Sequence, residues 1–429
     1  MPKRAAMNTR PSTATGLPTR RAALQILDAV MRTGQPLDQA VIPATRGLEP
    51  SDRALAIAIA QEVLRWTPDF DLLIDSQTRL PLADDAKARM VLRMALAQML
   101  RLETPPHAVI ATSLPLLEGG PRRLVHGVLG SLWRLQPKLA DNPALRPEVT
   151  IRWKDAWGSD VVAAGRAALA EPPPLDLALK HHGETQKWVE KLGGTSLAYG
   201  HVRLPRGSAI ETLEGYTDGA WWVQDLAATL PCRLLGEGKG RTLLDLCAAP
   251  GGKTMQLAAA GWAVTALDLS AKRMALLKSN LERTALEAET IVADIRKWDC
   301  GEQYDAVLLD APCSATGTFR RHPDVLHRIG ERQIAELAEL QKVLLDHAAR
   351  WVKTGGSLVY ATCSLEPQEG EMQAGDFLAR HPDFTVAPAD AALLPQGLAP
   401  DGYVRTLPGM LESQGGLDGF FVAHFHRSA

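Results

Sequence analysis

Two cysteines follow apolar segments that have the composition of buried strands. Cys313 stands in Asp-Ala-Pro-Cys-Ser after the segment 304–310, and Cys363 stands in Thr-Cys-Ser after the segment 356–362. Because the carboxyl ends of parallel strands meet at one edge of a sheet, we expect both thiols to face the same cleft. A buried cysteine is usually an inert small apolar residue, and this is the alternative for either one alone. Two thiols at one cleft favour a catalytic role over this inert one.

Paired thiols suit the methylation of a pyrimidine ring. Carbon 5 of a pyrimidine is a poor nucleophile until a thiolate adds to carbon 6, which makes carbon 5 enolate-like and able to accept a methyl group. A second group must then help to remove the proton from carbon 5 so that the thiolate can leave. A nearby lysine lowers the pKa of a thiol, and Lys253 is the candidate here. We expect Asp310 to hydrogen-bond the ring at N3.

A glycine-containing loop links a predicted strand to a predicted helix. It reads Asp-Leu-Cys-Ala-Ala-Pro-Gly-Gly-Lys-Thr over 245–254, which is neither the G-x-G-x-x-G fingerprint nor a P-loop. Asp268 ends the second predicted strand and suits the hydroxyls of a ribose, and Asp294 ends the third and suits an adenine amine. This set fits S-adenosylmethionine better than NAD, because no residue neutralises a phosphate. The alternative is a plain turn with the aspartates as helix caps.

Strands and helices alternate after Gly240, and this order must position the groups described above. Helical segments are predicted over 272–282 and 331–352. Strands are predicted over 242–247, 263–269, 290–293, 304–310, 356–362 and 420–425. Such alternation is typical of the α/β class, with a mostly parallel, doubly wound sheet and helices on both faces.

The N-terminal part has helical periodicity and no convincing strand. Apolar residues recur at helical spacing from Leu17 to about Ala140, with Thr19 and Ser51 as the expected N-caps. A Pro- and Asn-containing linker follows over 141–150, and a short strand is expected over 201–204. We therefore expect a disordered tail over 1–16, an all-α domain over 17–140, a linker with a small α+β extension over 141–235, and an α/β domain over 236–429.

Charge is nearly balanced in total but not along the chain. Lys and Arg number 47 and Asp and Glu 49, so the whole chain is not a basic nucleic-acid binder. Residues 1–140 carry 18 Lys and Arg against 12 Asp and Glu, which is the sign expected of a module that docks on RNA. The 46% apolar and 22% charged fractions are those of ordinary globular domains and exclude global disorder.

The number and spacing of the cysteines and the length of the apolar runs indicate the cellular compartment in which the protein works. The five cysteines are odd in number and include no C-x-x-C pair, which argues against a disulfide framework and a zinc site, and we expect no metal. No apolar run reaches the roughly 18 residues that a membrane span needs. The first 15 residues lack the apolar core of a secretory signal. We expect a cytoplasmic monomer that binds neither membrane nor DNA.

Several segments together resemble the RsmB/Sun group of RNA 5-methylcytosine methyltransferases. V-Q-D at 223–225 and D-G-F-F at 418–421 match that group, and the N-terminal helices look like its NusB-type RNA-binding domain. The most specific matches are D-L-C-A-A-P-G-G-K-T at 245–254, D-A-P-C-S-A-T-G-T at 310–318, R-R-H-P-D at 320–324 and A-T-C-S at 361–364. The resemblance thus covers nearly the whole chain and is strongest in its C-terminal half.

The resemblance implies roles that spacing alone leaves open. A Pro-Cys after the fourth strand is used by DNA cytosine methyltransferases, which would point to Cys313 as the nucleophile. The resemblance instead implies Cys363 as the nucleophile and Cys313 as the residue that aids product release. Asp310, expected at N3 of the ring, is the third candidate catalytic residue. In a class I Rossmann-like domain the resemblance implies that S-adenosyl-L-methionine is bound by Cys247, Ala248, Ala249, Pro250, Gly251, Gly252, Lys253, Asp268, Arg273, Asp294 and Asp310.

Some segments depart from the pattern of the group. Val-Leu-His over 325–327 replaces the usual Lys and aromatic residue, and Glu-Gly-Glu over 369–371 replaces Glu-Asn. His-Gly-Val-Leu-Gly over 126–130 replaces Asn-x-Val-Leu-Arg. The basic group Arg320, Arg321 and His322 either holds RNA phosphates at the cleft or is a solvated charged loop. Trp221 and Trp222 are expected in a core or a seam.

The resemblance implies an enzyme that forms 5-methylcytosine in small-subunit ribosomal RNA. Its substrate would be an unstacked cytosine, because chemistry at carbon 5 needs access to both faces of the ring. One alternative is a transfer-RNA cytosine methyltransferase of the same superfamily. Another is a non-catalytic RNA-binding assembly factor, against which the intact Cys313 and Cys363 argue.

Overall fold

The computed structural model describes residues 16–299, 301–389, 394–395 and 402–428. The tail predicted as disordered, apart from Gly16, and Cys300 lie outside these residues. The helices are α1 (Leu17–Thr33), α2 (Leu37–Ala44), α3 (Pro50–Asp75), α4 (Lys87–Leu100), α5 (Pro106–Ser113), α6 (Gly119–Leu135), α7 (Pro147–Trp157), α8 (Ser159–Ala170), α9 (Thr185–Leu192), α10 (Leu226–Leu235), α11 (Gly252–Ala259), α12 (Ala271–Thr284), α13 (Val325–Arg328), α14 (Glu331–Arg350) and α15 (Glu371–Arg380). The strands are β1 (Leu175–Leu179), β2 (His201–Leu204), β3 (Trp221–Val223), β4 (Thr242–Leu246), β5 (Ala263–Asp268), β6 (Glu289–Val292), β7 (Tyr304–Asp310), β8 (Val352–Thr362), β9 (Phe384–Val386), β10 (Val404–Thr406) and β11 (Phe420–Arg427).

The chain packs as two compact units. The described residues up to Pro147, together with 322–328, form a helical unit, and the described residues of 148–321 and 329–429 form an α/β unit. Part of the expected linker belongs to the helical unit, where the backbone N–H of Ala144 donates to Asp69 Oδ2 at 2.9 Å. Within the part of the chain that the structure describes, no helix is long and apolar enough to cross a membrane.

Helices α3 and α4 pack together in the core of the helical unit. They bury apolar side chains completely, among them Val63 on α3 and Leu92 on α4. Arg93 on α4 is also buried, and its Nε donates to Asp71 Oδ1 on α3 at 2.8 Å while Nη2 donates to Asp71 Oδ2 at 2.7 Å. This two-pronged ion pair fixes the two helices against each other.

Both expected N-caps in the helical unit are wrong. Helix α1 begins at Leu17, so Thr19 lies inside the helix, and its hydroxyl donates to Asp52 Oδ1 at 2.8 Å instead of capping. Helix α3 begins at Pro50, so Ser51 is already its second residue. Proline suits the first helical position because its missing N–H has no intrahelical partner there. The proline therefore sets the start of α3.

The segment 322–328 belongs to the helical unit although its neighbours in sequence belong to the α/β unit. Asp324 Oδ2 accepts the backbone N–H of Leu37 at 3.3 Å, and His327 Nε2 lies 2.7 Å from the carbonyl oxygen of Leu64. Val325 and Leu326 are buried. The Val-Leu-His sequence that departs from the group's pattern thus contributes to the packing of this unit.

The α/β unit contains two sheets. The large sheet has the order β10-β11-β8-β7-β4-β5-β6, and β9 adds to it by pairing with β11. Strands β4 to β8 pair in parallel, whereas β11 runs antiparallel to β8. The small sheet has the antiparallel order β2-β1-β3, which places Trp221 and Trp222 of β3 in buried positions as expected.

Alternate residues of β7 enter different cores. Val307 and Leu309 pack with Leu344 and Leu345 of α14 on one face of the large sheet. Ala306 and Leu308 pack on the other face, in the cluster that includes Leu230 of α10. Because successive strand residues point to opposite faces, helices cover both sides of the sheet. The expected doubly wound α/β class is confirmed.

The predicted strands of the parallel sheet are confirmed, and several short strands were missed. Strand β8 begins at Val352, four residues before the predicted start at residue 356. The prediction missed these residues because the glycines at 355 and 356 have low strand propensity. Strand β2 covers 201–204 as expected. The missed strands are β1, β3, β9 and β10, which have three to five residues each and too little alternation to detect.

Candidate active site

The carboxyl ends of five strands gather acids and thiols at one edge of the large sheet. Asp268 ends β5 and Asp310 ends β7. Cys247 directly follows β4, Asp294 follows β6 by two residues, and Cys363 directly follows β8. These strands are parallel neighbours, so their ends lie side by side. This is the edge at which open α/β sheets bind ligands.

A cavity of about 440 Å³ opens at this edge. It combines carboxylates, thiols and apolar side chains, as pockets for small organic ligands do. Its lining residues are Cys247, Asp268, Leu269, Arg273, Ala293, Asp294, Ile295, Arg296, Asp310, Ala311, Pro312, Cys313, Ala315, Leu340, Leu344 and Cys363. The structure thus places seven of the residues singled out from the sequence around one space.

The two thiols are in direct contact. Cys313 Sγ lies 3.5 Å from Cys363 Sγ, and neither cysteine forms a disulfide. The hydrogen bond with Cys363, together with burial, raises the pKa of Cys313 well above its ordinary value. Cys313 therefore keeps its proton at neutral pH. The lowering of a thiol pKa that we expected from Lys253 is not found at Cys313.

Lys253 is paired with Asp310. Its Nζ donates to Asp310 Oδ2 at 2.7 Å and lies 5.2 Å from the ring centre of Phe420. Burial alone would lower the pKa of Lys253, but Asp310 raises it above the ordinary value, so the ammonium group persists. The lysine thus holds the Asp310 carboxylate in place, and it does not line the cavity.

Asp268 is a buried carboxylate with a lone pair to spare. Its Oδ2 accepts the backbone N–H of Ala249 at 3.1 Å and lies 3.3 Å from Arg273 Nη1, and its Oδ1 accepts the N–H of Ser270 at 2.8 Å. Since each carboxylate oxygen has two lone pairs, Oδ1 retains one for a hydroxyl group in the cavity. Arg273 also donates to the carbonyl oxygen of Ala249.

Asp294 is charged over the whole physiological range. Hydrogen bonds from the side chain and backbone of Arg296 hold its pKa at about 2. The Arg296 guanidinium donates to both carboxylate oxygens, at 3.0 and 2.7 Å. Asp294 remains available to the cavity, which both residues line.

The glycine loop supports the site without lining the cavity. Gly251 has φ 105°, and a Cβ atom there would lie 2.8 Å from Leu277 Cγ on α12. The left-handed backbone and the packing against α12 therefore both require glycine at this position. The loop also contains a cis peptide before Pro250. The cavity lining includes Cys247 but none of Ala248, Ala249, Pro250, Gly251, Gly252 or Lys253.

A buried carboxylate that the sequence reasoning missed joins the two cysteine loops. Glu369 has no exposed surface, and its Oε1 accepts the backbone N–H of Ser314 and the side-chain amide of Gln341, both at 2.9 Å. Its Oε2 accepts the hydroxyl groups of Ser314 and Ser364, the latter at 2.6 Å. Each serine directly follows one of the two cysteines. The serine that follows each cysteine is the sequence feature from which a shared buried acceptor could have been predicted.

Gly317 ties the same loops to the C-terminal strand. Its N–H donates to the carbonyl oxygen of Cys363 at 3.0 Å, and its carbonyl oxygen accepts the N–H of Gly419 at 2.9 Å. A Cβ atom on Gly317 would lie 1.9 Å from the carbonyl oxygen of Gly419. The Thr-Gly-Thr and Asp-Gly-Phe-Phe segments are therefore glycine-containing because their backbones touch.

The two arginines after the Pro-Cys loop form ion pairs with buried acids of the same unit. Arg320 is 4% exposed, and its Nε donates to Asp418 Oδ1 at 3.0 Å. Arg321 donates to Asp418 Oδ2 at 3.1 Å and to Asp225 Oδ2 at 2.5 Å. Both acids are buried, so the two guanidinium groups neutralise them. Of the three basic residues, His322 alone lies in the helical unit.

Glu371 and Gly370 have separate structural roles. Glu371 forms a two-pronged ion pair with Arg405, at 2.9 and 2.7 Å. A Cβ atom on Gly370 would lie 2.3 Å from Arg405 Nη2. Arg405 in turn donates from Nη1 to the carbonyl oxygen of Ser364 at 2.5 Å, next to Cys363. The Glu-Gly-Glu segment that departs from the group's pattern thus supports the backbone next to Cys363.

Comparison with known proteins assigns both units to families. Residues 233–426 match the family 16S rRNA methyltransferase RsmB/F, and residues 17–132 match the NusB family. The ribosomal RNA small subunit methyltransferase B of Erwinia tasmaniensis is 34% identical over 430 residues, which cover 94% of this chain and 96% of that protein. The chain belongs to the ribosomal RNA small subunit methyltransferase B family. The resemblance drawn from the sequence motifs is confirmed.

A second relative agrees with this assignment, and a solved structure shares the fold. The protein of the same name from Escherichia coli strain K12 is 33% identical over 438 residues, covering 94% of this chain and 97% of that protein. The solved structure of PH0851 aligns with a TM-score of 0.74 at 23% identity, covering 96% of this chain and 99% of that one. At this identity the similarity shows the fold alone.

S-adenosylmethionine is the cofactor on which this methyltransferase family depends, and the cavity fits it. The spare lone pair of the buried Asp268 suits a ribose hydroxyl. Leu269, next to it, is 69% exposed and presents an apolar side chain to the cavity, as an adenine ring requires. The solved structure of NSun6 from Pyrococcus horikoshii, which contains SFG, aligns with a TM-score of 0.57 at 17% identity, covering 66% of this chain and 98% of that one.

Proposed function

We propose that this protein forms 5-methylcytosine in small-subunit ribosomal RNA through a transient bond between Cys363 and carbon 6 of the cytosine. The observation that carries the proposal is the 3.5 Å contact between the two thiols beside an acid-lined cavity. A cysteine that serves only as a small apolar residue of the core would not require a second thiol in contact with it. The family membership supports the RNA substrate.

In this proposal, one set of cavity residues binds the cofactor and another contacts the cytosine. Asp268, Asp294, Arg273 and Cys247 would hold S-adenosylmethionine, and the backbone of the 248–252 loop would support them. When bound, this cofactor supplies an electrophilic methyl group. Asp310, held by Lys253, would hydrogen-bond the cytosine at N3 and stabilise the ring after addition at carbon 6.

Each thiol has its own part in the covalent steps. Cys363 adds as a thiolate to carbon 6, which moves an electron pair to carbon 5 for bonding to the methyl group. The proton of carbon 5 must then leave, the C5=C6 bond reforms, and the electron pair of the carbon–sulfur bond returns to Cys363. Cys313 is protonated and lies 3.5 Å from Cys363 Sγ, so it can donate its proton to the departing sulfur. The Cys313 thiolate that this transfer leaves accepts the proton of carbon 5 as the C5=C6 bond reforms, which returns Cys313 to its thiol form.

The decisive experiment is bisulfite sequencing of ribosomal and transfer RNA from a strain that lacks this protein. We expect one cytosine of small-subunit rRNA to lose its methyl group and to regain it when the wild-type chain is supplied. The Cys363→Ala variant should not restore it, although it should still bind S-adenosylmethionine. Loss of a methyl group from transfer RNA alone would support the transfer-RNA alternative and overturn the proposal. The cytoplasmic location and the monomeric state stay predictions.

A further inference from the structure

Helix α6 in the helical unit carries a continuous exposed basic face. With 3.6 residues per turn, one arc of about 140° contains all of its basic residues and its one tryptophan. We call this surface the α6 face, and its residues are Arg122, Arg123, His126, Trp133 and Arg134, all of them exposed. The opposite side of the helix buries Val125, Val128, Leu129 and Leu132.

Among the residues that the structure describes, no carboxylate pairs with the arginines of the α6 face. No Asp or Glu occurs between residues 119 and 140. Elsewhere in this unit arginines pair with acids, as Arg89 and Arg93 do with Asp71. Among the described residues, Arg122 and Arg123 contact no carboxylate, and Arg134 donates to Ser131 Oγ at 3.3 Å. Unpaired guanidinium groups on one face are complementary to a polyanion.

Trp133 adds an aromatic surface among these charges. It is 47% exposed, whereas Trp66 in the core of the same unit is 1% exposed. An exposed indole ring flanked by arginine offers a stacking platform for an unpaired base. A purely solvated charged face would not need it.

The backbone of the α6 face is open to close approach. Gly127 and Gly130 lie on the same arc, and a Cβ atom on either would meet nothing within 4 Å. The fold therefore does not require glycine there, although glycine inside a helix is less favourable than alanine. The two glycines leave room beside the arginines and the tryptophan.

We propose that the α6 face binds a single-stranded segment of the RNA substrate, with phosphates on the arginines and one unpaired base stacked on Trp133. Arg122 and Arg134 are separated by about 18 Å along the helix, which spans several phosphates. This inference rests on the proposed function only in taking RNA as the substrate. It concerns binding and does not involve the cysteines.

The test measures the affinity of the full chain for unmodified small-subunit rRNA transcribed in vitro, between 50 and 200 mM salt. Replacing Arg122, Arg123 and Arg134 by Ala should weaken binding and should lower the slope of log affinity against log salt by about 2, at roughly 0.7 per phosphate contact. Trp133→Ala should weaken binding roughly 5- to 150-fold, which corresponds to the loss of one stacked base. Arg53→Ala, which removes an exposed arginine of α3, is the matched control and should change neither quantity.

Substitution of the two glycines provides an independent test, in which thermal stability should increase while RNA affinity decreases. Gly127→Ala and Gly130→Ala should raise the midpoint of thermal unfolding, because alanine favours the helix and has room, yet they should weaken RNA binding. Unchanged affinity and salt slope in the arginine and Trp133 variants would overturn the proposal. So would variants that bind the RNA normally but lose a ribosomal protein, because the face would then dock protein.

This test separates failure of the inference from failure of the proposed function. The Cys363→Ala variant should bind the RNA with wild-type affinity through the α6 face even though it cannot methylate. Normal binding by the α6 variants would overturn the inference and leave the methylation chemistry untouched.

Discussion

The sulfur atoms of Cys313 and Cys363 lie 3.5 Å apart although 50 positions separate the two residues in the chain. Their contact follows from the parallel pairing of β7 and β8, in which Asp310 lies opposite Ala361. Each cysteine stands shortly after the end of its strand, so both side chains reach the same cavity. The pair therefore depends on strand register as well as on the two motifs.

Removal of Cys313 should trap the covalent intermediate. In Cys313→Ala, Cys363 can still add to the cytosine, but its neighbouring proton donor and acceptor is lost, so the adduct should break down slowly. A denaturing gel with labelled RNA should show a shifted protein–RNA band that is absent from Cys363→Ala and from the double variant. A Cys313→Ala sample without this band would contradict the release role.

Glu369→Gln should loosen both cysteine loops. The amide of glutamine has one acceptor oxygen, whereas the Glu369 carboxylate accepts four hydrogen bonds from Ser314, Ser364 and Gln341. At least one buried donor would lose its acceptor, at a cost of about 1–3 kcal/mol in the free energy of unfolding. We expect a lower kcat with little change in the KM for S-adenosylmethionine.

The exposed Glu336 on α14 offers the control for this change. Glu336→Gln alters charge in the same way without touching the cysteine loops, so it should leave urea unfolding and kcat unchanged. If Glu369→Gln also left both unchanged, the buried carboxylate would not be positioning the thiols.

Asp245 should make stability fall as pH rises. Burial raises its pKa to about 7, and its Oδ1 has no hydrogen-bond partner among the described residues. The folded protein therefore retains a proton that the unfolded chain releases near pH 4, so the contribution of this group is lost as pH increases toward 7. Between pH 5 and 7 the free energy of unfolding should fall by up to about 1.4 kcal/mol per pH unit from this group.

The Asp245→Asn variant isolates that contribution. Asparagine does not titrate, so the difference in the free energy of unfolding between wild type and variant should change with pH. The contributions of all other titrating groups cancel in that difference. Parallel pH profiles for the two proteins would show that Asp245 does not titrate in this range.

Arg321→Ala should reduce stability without altering the salt dependence of RNA binding. The change leaves the buried Asp225 and Asp418 with fewer donors, at a cost of about 3 kcal/mol in the free energy of unfolding. Arg53→Ala should cost little, because that side chain is exposed. A smaller salt slope for Arg321→Ala with unchanged stability would instead place Arg321 at the RNA.

The local pattern predicted the parallel strands well because each is a compact apolar run between turn signals. That prediction was sufficient to bring Cys313, Cys363, Asp268, Asp294 and Asp310 to one edge, since a parallel sheet aligns its carboxyl ends. Helix starts were predicted less well. Thr19 and Ser51 are both capping types, but prolines nearby determine where α1 and α3 begin.

Long-range pairing was outside the reach of the sequence. Arg320 and Arg321 are equally basic whether they face phosphates or buried acids, and the partners Asp225 and Asp418 lie about a hundred positions away on either side. Glu369 lies in a charged, glycine-containing segment that is typical of an exposed turn. It is buried nevertheless, because Ser314, Ser364 and Gln341 donate hydrogen bonds to its carboxylate.

By itself, the sequence determined the α/β class, the strand order along the chain, and the motifs that place this protein in its family. These properties depend on local apolar periodicity and on short segments, which a chain displays before it folds. Only the tertiary structure decided which charges are neutralised. It assigned Lys253 to Asp310, the two arginines to buried acids, and the segment 322–328 to the helical unit, because electrostatic roles depend on distance in space.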